Sequence, residues 1–433
     1  MDKQNVLIIG GGGREHALAW KISRSPRLGR LYVAPGNGGT QDIATNVPIK
    51  VNDIEAQLKF ALVHNIHLTV VGPDDALAGG IVDAFQEKGL RIFGPTKAAA
   101  QIEASKAFAK DLMKSTGIPT ARYAIFTDIG KAKAYVSKHV FPIVIKASGL
   151  ALGKGVYISK NVTEANKALD EIMGEKVFGD SGNEVVVEEF ITGQEISIHA
   201  FCDGKTAILF PSAQDHKRIG TGDTGPNTGG MGTFAPVHWT NPEFFKDVLQ
   251  QVIKPILKGL SDAGAPYRGI LYPGLMVDNK GNFKVLEFNA RFGDPETQSY
   301  LRLLDTDLIE VLEACVDGKL SKVKVKWSGK TAVTVVMASE GYPDKNKISR
   351  TIVGIDESES DTDDGVVVFH AGTKWEGGKL VTSGGRVLGV SAVGSNLQDA
   401  QDKAYVATRR IHFEGAQYRT DIGDKALKND RKK

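Results

Sequence analysis

Short apolar runs that end in glycine dominate the first hundred residues. "NVLII" at 5–9 runs into "GGGG" at 10–13, "LYVA" into "PGNGG", "HLTVV" into "GP" and "RIF" into "GP". Runs of three to five such residues are too short for helices and read as buried strands. Between them lie helical stretches, from Arg14 to about Arg24 and from about Leu77 to Lys88. Strands alternating with helices predict parallel β-α-β layers, and the glycines then lie at the carboxyl ends of the strands, where open α/β sheets bind ligands.

The rest of the chain of 433 residues changes pattern twice. Ser105 opens a helix, "SKAFAKDLMKSTGIP", that Gly117 and Pro119 terminate. From about 121 a small α+β unit follows, with "FPIVIKASG", "GVYIS", a helix near 163–173 and "EVVVEEF". From about 331, "TAVTVVMAS", "GVVVFHAGT" and "GGRVLGVSAVG" read as strands with glycine turns, followed by a helix over about 397–412. The expected division is 1–104, 105–328 with a small unit at about 122–190, and 329–433.

Composition excludes several classes. Net charge is +3, and the one basic cluster is the tail "KALKNDRKK", so no nucleic-acid partner is expected. No apolar run approaches the roughly 18 residues of a membrane span. The start, "MDKQNVLIIGGGG", enters a strand directly and has no signal-peptide pattern. Cys202 and Cys315 are too few for a disulfide framework, so a reducing cytoplasm is expected. The 49 glycines cluster at turns and point to backbone approaching ligands.

Five stretches carry chemistry. The first glycine loop, with Gly11, Gly12 and Gly13, is not a dinucleotide fingerprint, because Glu15 or His16 stands where the third glycine belongs. Its amides at a helix N-terminus suit a phosphate. The second, "KASGLALGKGV", is not a Walker loop, yet Lys146 and Gly153-Lys154-Gly155 place two lysines beside a mobile turn suited to a triphosphate. A surface hairpin with solvated lysines is the plain alternative. "VVVEEFITGQEIS" ends a strand with Glu188 and Glu189, and Glu195 follows a glycine turn; these carboxylates suit ribose hydroxyls or a solvated strand end.

The segment 211–236, "PSAQDHKRIGTGDTGPNTGGMGTFAP", reads as a long structureless loop covering a substrate, with Asp215, Lys217, Arg218, Asp223 and Asn227 among its polar groups. In "KVLEFNARFGDPETQ", alternation puts Glu287, Asn289 and Arg291 on one face of a strand and Leu286, Phe288 and Ala290 on the other. Glu287 and Asn289 are hard oxygen ligands suited to Mg²⁺, and Arg291 can pair with a carboxylate or phosphate, with Asp294 in the turn beyond.

With these stretches in place, the layout resembles the ATP-grasp ligases, and most closely the phosphoribosylamine–glycine ligase family. "IGGGGREHALAWK", "VIKASGLALGKGV", "VVEEFITGQEIS", "HKRIGTGDTGPNTGGMG", "YRGILYPGLM" and "VLEFNARFGDPETQ" carry the resemblance over residues 8–298, and "VVVFHAGT" with "GGRVLGV" extends it to about 390. It implies a multidomain α/β and α+β fold: a pre-ATP-grasp α/β domain, an ATP-grasp domain with a small lid, and a mixed α/β C-terminal domain. It implies that glycine is joined to 5-phosphoribosylamine with ATP and Mg²⁺ or Mn²⁺, by a cytoplasmic monomer or weak dimer that binds neither nucleic acid nor membrane.

By the same resemblance, Lys106, Lys146 and Lys154 meet ATP with its glycine loop, Glu188, Glu189, Phe190 and Ile191 meet adenine, and Glu195 meets the ribose. Glu287 and Asn289 hold the metal, and Arg291, Asp294 and Asp215 position glycine and the acyl phosphate. The loop glycines 11–13, Asp74, Lys217, Asn227, Thr228 and Gly229 face the other substrates. The chain departs from the family pattern at Ser148, which replaces an acid, and in "VGPDDAL", where Asp74 replaces Glu and Ala76 replaces Pro. Another ATP-grasp ligase with a different acceptor, a nucleotide-sensing module and a nicotinamide oxidoreductase are the rival readings.

Overall fold

The computed structural model describes residues 3–151, 154–344, 349–359 and 365–430. The first sheet has five parallel strands in the order Thr45–Asn46, Leu28–Pro35, Gln4–Gly10, Leu68–Val71, Ile92–Phe93. Strand order reverses beside Gln4–Gly10, so the glycine loop lies at the topological switch point. The helix after it spans Gly13–Ser23. The helix expected over 77–88 is two, Asp74–Gly79 and Ile81–Glu87, separated at Gly80 with φ +92°. That left-handed conformation breaks a helix and suits a residue without Cβ.

The small unit is a four-stranded antiparallel sheet in the order Tyr123–Phe126, Val185–Glu189, Ile143–Ala147, Val156–Ser159. Helices Ile129–Val136 and Val162–Leu169 contribute Ala132, Val136, Ala165 and Leu169 to its own apolar core.

The central sheet is built on one long strand, Arg268–Val277. It pairs with Gln194–Ser197 and Ala200–Asp203 along one edge and with Phe283–Asn289 along the other. In the second pairing Gly274 faces Glu287 and Leu275 faces Val285, which leaves Leu286 without a partner. This β-bulge changes the simple alternation. Val285, Phe288 and Ala290 all enter one core, while Leu286 turns toward a cavity with Glu287 and Asn289. The expectation that Leu286 shares the apolar face of Phe288 and Ala290 is therefore corrected. Strict alternation would have put Glu287 on the core face of Val285; the extra residue prevents this.

Residues 211–236 are not a structureless loop. Gln214–Asp215 and Gly232–Ala235 are strands, and between them Arg218–Gly220 and Thr224–Asn227 form a hairpin. Both outer strands join the third sheet, whose order is Gln214–Asp215, Gly232–Ala235, Thr331–Ala338, Arg386–Gly394, Val366–His370. Backbone pairing with a distant strand is invisible to local pattern.

Phe288 is 3% exposed in the central core. Phe288→Ala is expected to cost about 3–5 kcal/mol through lost burial and a residual cavity, read as a lower urea midpoint for the central unit.

Candidate active site

A cavity of about 660 Å³ opens between the lid sheet, the central sheet and the third sheet. That volume lies in the usual range for a small-molecule site. Its walls include Asp74, Lys106, Lys146, Lys154, Gly155, Glu188, Glu189, Phe190, Ile191 and Glu195. They also include Asp215, Lys217, Asn227, Thr228, Gly229, Glu287, Asn289, Arg291 and Asp294. Gly153, expected in the lysine–glycine loop, lies outside the described residues.

The lid wall is a ladder of alternating charge. Lys146 on strand Ile143–Ala147 is paired with Glu188 on the adjacent strand, and Lys110 from helix Lys106–Ser115 takes the other Glu188 oxygen. Lys146 Nζ also donates to the carbonyl of bulged Leu286 at 3.2 Å, and Lys110 Nζ to Thr120 Oγ1 at 2.8 Å. Burial pushes the Glu188 carboxyl up, but Lys146 and Lys110 outweigh it and hold it below its ordinary range. Glu188 is thus committed to two lysines. Glu189 points away to Arg122 and Lys284, both at 2.7 Å, and keeps only part of its surface on the cavity. Phe190 is 38% exposed at the rim, where its ring is available to a flat partner.

Ser148 stands where the related pattern has an acid. Its hydroxyl donates to Glu184 Oε2 at 2.9 Å and accepts from the Ala107 amide at 3.1 Å. It fastens the lid strand to the start of the Lys106 helix. Lys106 Nζ donates to the Gly149 carbonyl at 3.1 Å. Burial lowers the Lys106 pKa, and Glu287 offsets this only in part. Lys154 Nζ reaches across to the Pro343 carbonyl at 2.9 Å, joining the lid loop to the third unit.

The Glu287 carboxylate has no hydrogen bond or ion pair with another described residue. Burial would raise its carboxyl, yet the fields of Lys217, Lys146 and Lys106 outweigh burial and keep it below its ordinary value. A half-buried carboxylate held toward its ionised form, with free oxygens, fits a cation. Among the described residues there is no cluster of three or more His, Cys, Asp or Glu arranged for a metal. Glu287 with Asn289 is therefore a partial ligand set, which suits Mg²⁺ or Mn²⁺ shared with phosphate oxygens and water rather than a closed protein cage.

Arg291 is oriented before any ligand arrives. Its Nη2 meets Glu103 Oε1 at 3.0 Å and Asn289 Oδ1 at 3.2 Å, and its Nη1 meets the Phe292 carbonyl at 3.2 Å. Asp294 meets Arg386 Nη2 at 3.1 Å and accepts from Gln298 Nε2 at 2.8 Å. Asp215 accepts from the His216 amide at 2.7 Å. Burial, with Glu296 nearby, pushes its carboxyl well above its ordinary value. Lys217 Nζ pairs with Glu195 at 2.8 Å, so Glu195 is a lysine partner here. Thr228 Oγ1 donates to the Lys217 carbonyl at 2.8 Å, and the Gly229 carbonyl accepts from Arg386 Nη1 at 2.9 Å.

The first glycine loop faces a second cleft of about 380 Å³, which Gly11 and Gly12 line with Asn37, Thr373 and Arg386. Asp294 and Arg386 border both spaces. The Gly12 amide is already taken by Glu15 Oε2 at 2.6 Å. Gly13 instead packs on the central unit: a Cβ there would lie 2.6 Å from Gln298 Nε2.

Sequence reasoning missed Lys110, Glu103, Tyr272, Glu296 and Arg386. Lys110 lies one helical turn after Lys106, a spacing that puts both on one face and would have revealed it. Glu296 opens the helix Glu296–Leu303 within "GDPETQ" and accepts from Tyr272 at 2.6 Å and Ser197 at 2.9 Å. Arg386 carries no local signal, since its partner Gly229 is 157 residues away.

Glu188→Gln would leave two buried lysines without their shared partner, at a cost of about 3–5 kcal/mol. The Glu188 pKa is lower in the folded chain than its ordinary 4.5. Its stabilisation is therefore complete above that value and lost as pH falls through the folded-state pKa. Urea unfolding across pH should show the two proteins far apart at neutral pH and converging in acid.

Comparison with known proteins accords with this geometry. Residues 4–103, 104–297 and 332–425 match the N domain, the ATP-grasp (A) domain and the C domain of phosphoribosylglycinamide synthetase. The phosphoribosylamine–glycine ligase of Ralstonia nicotianae is 49% identical over 98% of this chain and 99% of its own length. That of Chlorobaculum tepidum is 50% identical over 98% and 100%. The crystal structure of the Thermotoga maritima phosphoribosylamine–glycine ligase superposes with a TM-score of 0.84 at 34% identity, covering 96% of this chain and all of that one. The biotin carboxylase domain of Hydrogenobacter thermophilus 2-oxoglutarate carboxylase, solved with MgADP and bicarbonate, shares the fold at TM-score 0.73 and 17% identity, over 96% of this chain and 92% of its own. With its N, ATP-grasp and C domains all matched and near-full-length relatives close to half identical, the chain belongs to the phosphoribosylamine–glycine ligase family of ATP-grasp enzymes.

Proposed function

We propose that this protein joins glycine to 5-phosphoribosylamine at the expense of ATP, giving glycinamide ribonucleotide, ADP and phosphate in purine biosynthesis. The observation that carries the reading is the unpartnered Glu287 carboxylate, beside Asn289 and Arg291, in a cavity ringed by Lys106, Lys146 and Lys217. A triphosphate and a carboxylate both repel each other and need cations to meet.

The chemistry follows in two steps. A glycine carboxylate oxygen attacks the γ-phosphorus of ATP, and the bond to the bridging oxygen breaks to release ADP and leave glycyl phosphate. The amine of the ribosylamine then attacks the acyl carbon, loses a proton and expels phosphate. Lys146 and Lys106 bind phosphate oxygens, and the rim formed by 188–191 takes the adenine, with Phe190 supplying a flat face. Glu287 and Asn289 would hold Mg²⁺ or Mn²⁺, which would supply positive charge against the phosphates. Arg291, already fixed by Glu103, holds the glycine carboxylate, with Asp215 and Asp294 near its ammonium. Asp74, Lys217 and 227–229 border the amino sugar, whose phosphate lies toward the Gly11–Gly12 cleft. The lid loop, tied to the third unit through Lys154, excludes water from the acyl phosphate.

The enzyme acts on small molecules. As further parts of the proposal, it works in the cytoplasm as a monomer or weak dimer, without nucleic acid or membrane. A net charge of +3 is small for a nucleic-acid partner, and among the described residues no helix is long and apolar enough to cross a membrane.

The test is ADP release with MgATP, glycine and phosphoribosylamine generated in place from ribose 5-phosphate and ammonia. Release that needs both glycine and the amino sugar, with the glycinamide product seen by mass, is expected. Release without either would point to a different acceptor. Glu287→Gln should cost at least the roughly 10–100-fold typical of weakened metal sites, most severely at limiting Mg²⁺. Arg291→Ala should raise the apparent KM for glycine about tenfold, or ~1.4 kcal/mol; a change confined to ATP parameters would remove its glycine role.

A further inference from the structure

The hairpin Arg218–Gly220 and Thr224–Asn227 does not fold its tip over the cavity. The tip is held by the C-terminal segment 419–425, some 200 residues away in sequence (|i−j| 199 for Gly222 and Asp421). Arg419 is fully buried, with a side-chain exposure of 0%. Its Nε and Nη2 donate to the two oxygens of Asp421 at 2.8 and 2.7 Å, a bidentate pair. Its Nη1 donates to Asp223 Oδ1 at 2.8 Å and to the Arg218 carbonyl at 3.2 Å. Asp223 sits at the turn with φ +57° and also pairs with Lys425. The Gly222 amide donates to Asp421 Oδ2 at 3.0 Å, and the Thr420 amide to Thr221 Oγ1 at 3.1 Å.

The same segment grips the foot of the hairpin. The Gly423 amide donates to His216 Nε2 at 3.3 Å. His216 is the neighbour of Lys217, whose carbonyl closes the hairpin by accepting from the Thr228 amide at 2.7 Å. Lys217, Asn227, Thr228 and Gly229 are the residues that reach the cavity. Two strands of three and four residues, with 224–227 exposed, do not hold a fixed shape alone. A buried guanidinium with four charge-assisted or carbonyl contacts does supply one. Arg419 itself is not among the cavity walls.

We infer that Arg419 is a positioning residue for the ligase reaction: by clamping Asp223 and the Arg218 carbonyl, it fixes the frame from which Lys217 and 227–229 meet the glycine and amino-sugar end of the site. The inference rests on the ligase reading above and adds to it a remote determinant of substrate binding. The ATP end is built mainly on the lid and meets this frame at Lys217, which pairs with Glu195 and whose field reaches Glu287.

Two variants test it. Asp223→Asn removes the charge with which the tip meets Arg419 and Lys425 and leaves the buried Arg419–Asp421 pair whole. Arg419→Lys keeps the charge but loses the planar fork. For each, hydrogen exchange over 217–229, the apparent KM for all three substrates and the thermal midpoint are measured on the full chain. The expected result is faster exchange in 217–229 and an apparent KM for glycine or the amino sugar raised about fivefold or more. The KM for ATP stays within about twofold and the Asp223→Asn midpoint is nearly unmoved. Unaltered exchange and KM values in stable variants would overturn the inference. So would equal losses in every kinetic parameter that track a lowered midpoint, which is what a purely structural role predicts. Absence of glycine-dependent ADP release in the unaltered protein would remove the ligase reading itself, whereas normal release with unaltered variants removes only the role of Arg419.

Discussion

Glu188 lies 4% exposed between the ammonium groups of Lys110 and Lys146, and the site is organised around that arrangement. Cations crowded in one cavity repel one another and lose solvation, and for lysine both effects lower the pKa. Counter-charges offset this locally: Glu188 for Lys146 and Lys110, Glu195 for Lys217, Glu103 for Arg291. The pairing does not consume the cations, because a guest with more negative charge can take over or share the contact. A single buried pair is a weak source of stability. Here the pairs hold a charge pattern ready for phosphate and carboxylate.

The bulge at Leu286 connects this electrostatics to packing. The strand must bury Val285, Phe288 and Ala290 in one core and still present Glu287 and Asn289 to the cavity. A regular strand cannot do both across that span. The unpaired residue resolves the conflict and frees a carbonyl that Lys146 uses at 3.2 Å. One extra residue therefore turns the strand and anchors a cation. The third unit contributes in the same way: its sheet takes in Gln214–Asp215 and Gly232–Ala235, so the outer wall of the site is stitched to a distant part of the chain by backbone pairing.

Much of the plan was readable before the structure. The apolar runs closed by glycine specify the parallel sheet, since their length and their turn residues leave few alternatives. Lys146, Glu188 and Glu287 stand out because charge inside an apolar run demands a partner or a ligand. The helix break at Gly80 and the strands inside 211–236 were not readable, because a left-handed glycine and a pairing with Thr331–Ala338 leave no periodic trace. Arg386 and Arg419 were also silent: each is an ordinary residue locally and acquires its place through partners 157 and 196 positions away.

By itself the amino-acid sequence determined which groups exist to do the work and on which kind of element each sits, because strand alternation, helix spacing and glycine turns are local properties. Only the tertiary structure decided which charges face each other, that Glu188 and Glu195 are held by lysines while Glu287 is left free, and that the hairpin is clamped from the C-terminal segment. Those outcomes depend on long-range contacts, whose energy comes from burial and charge pairing between segments that carry no mark of one another.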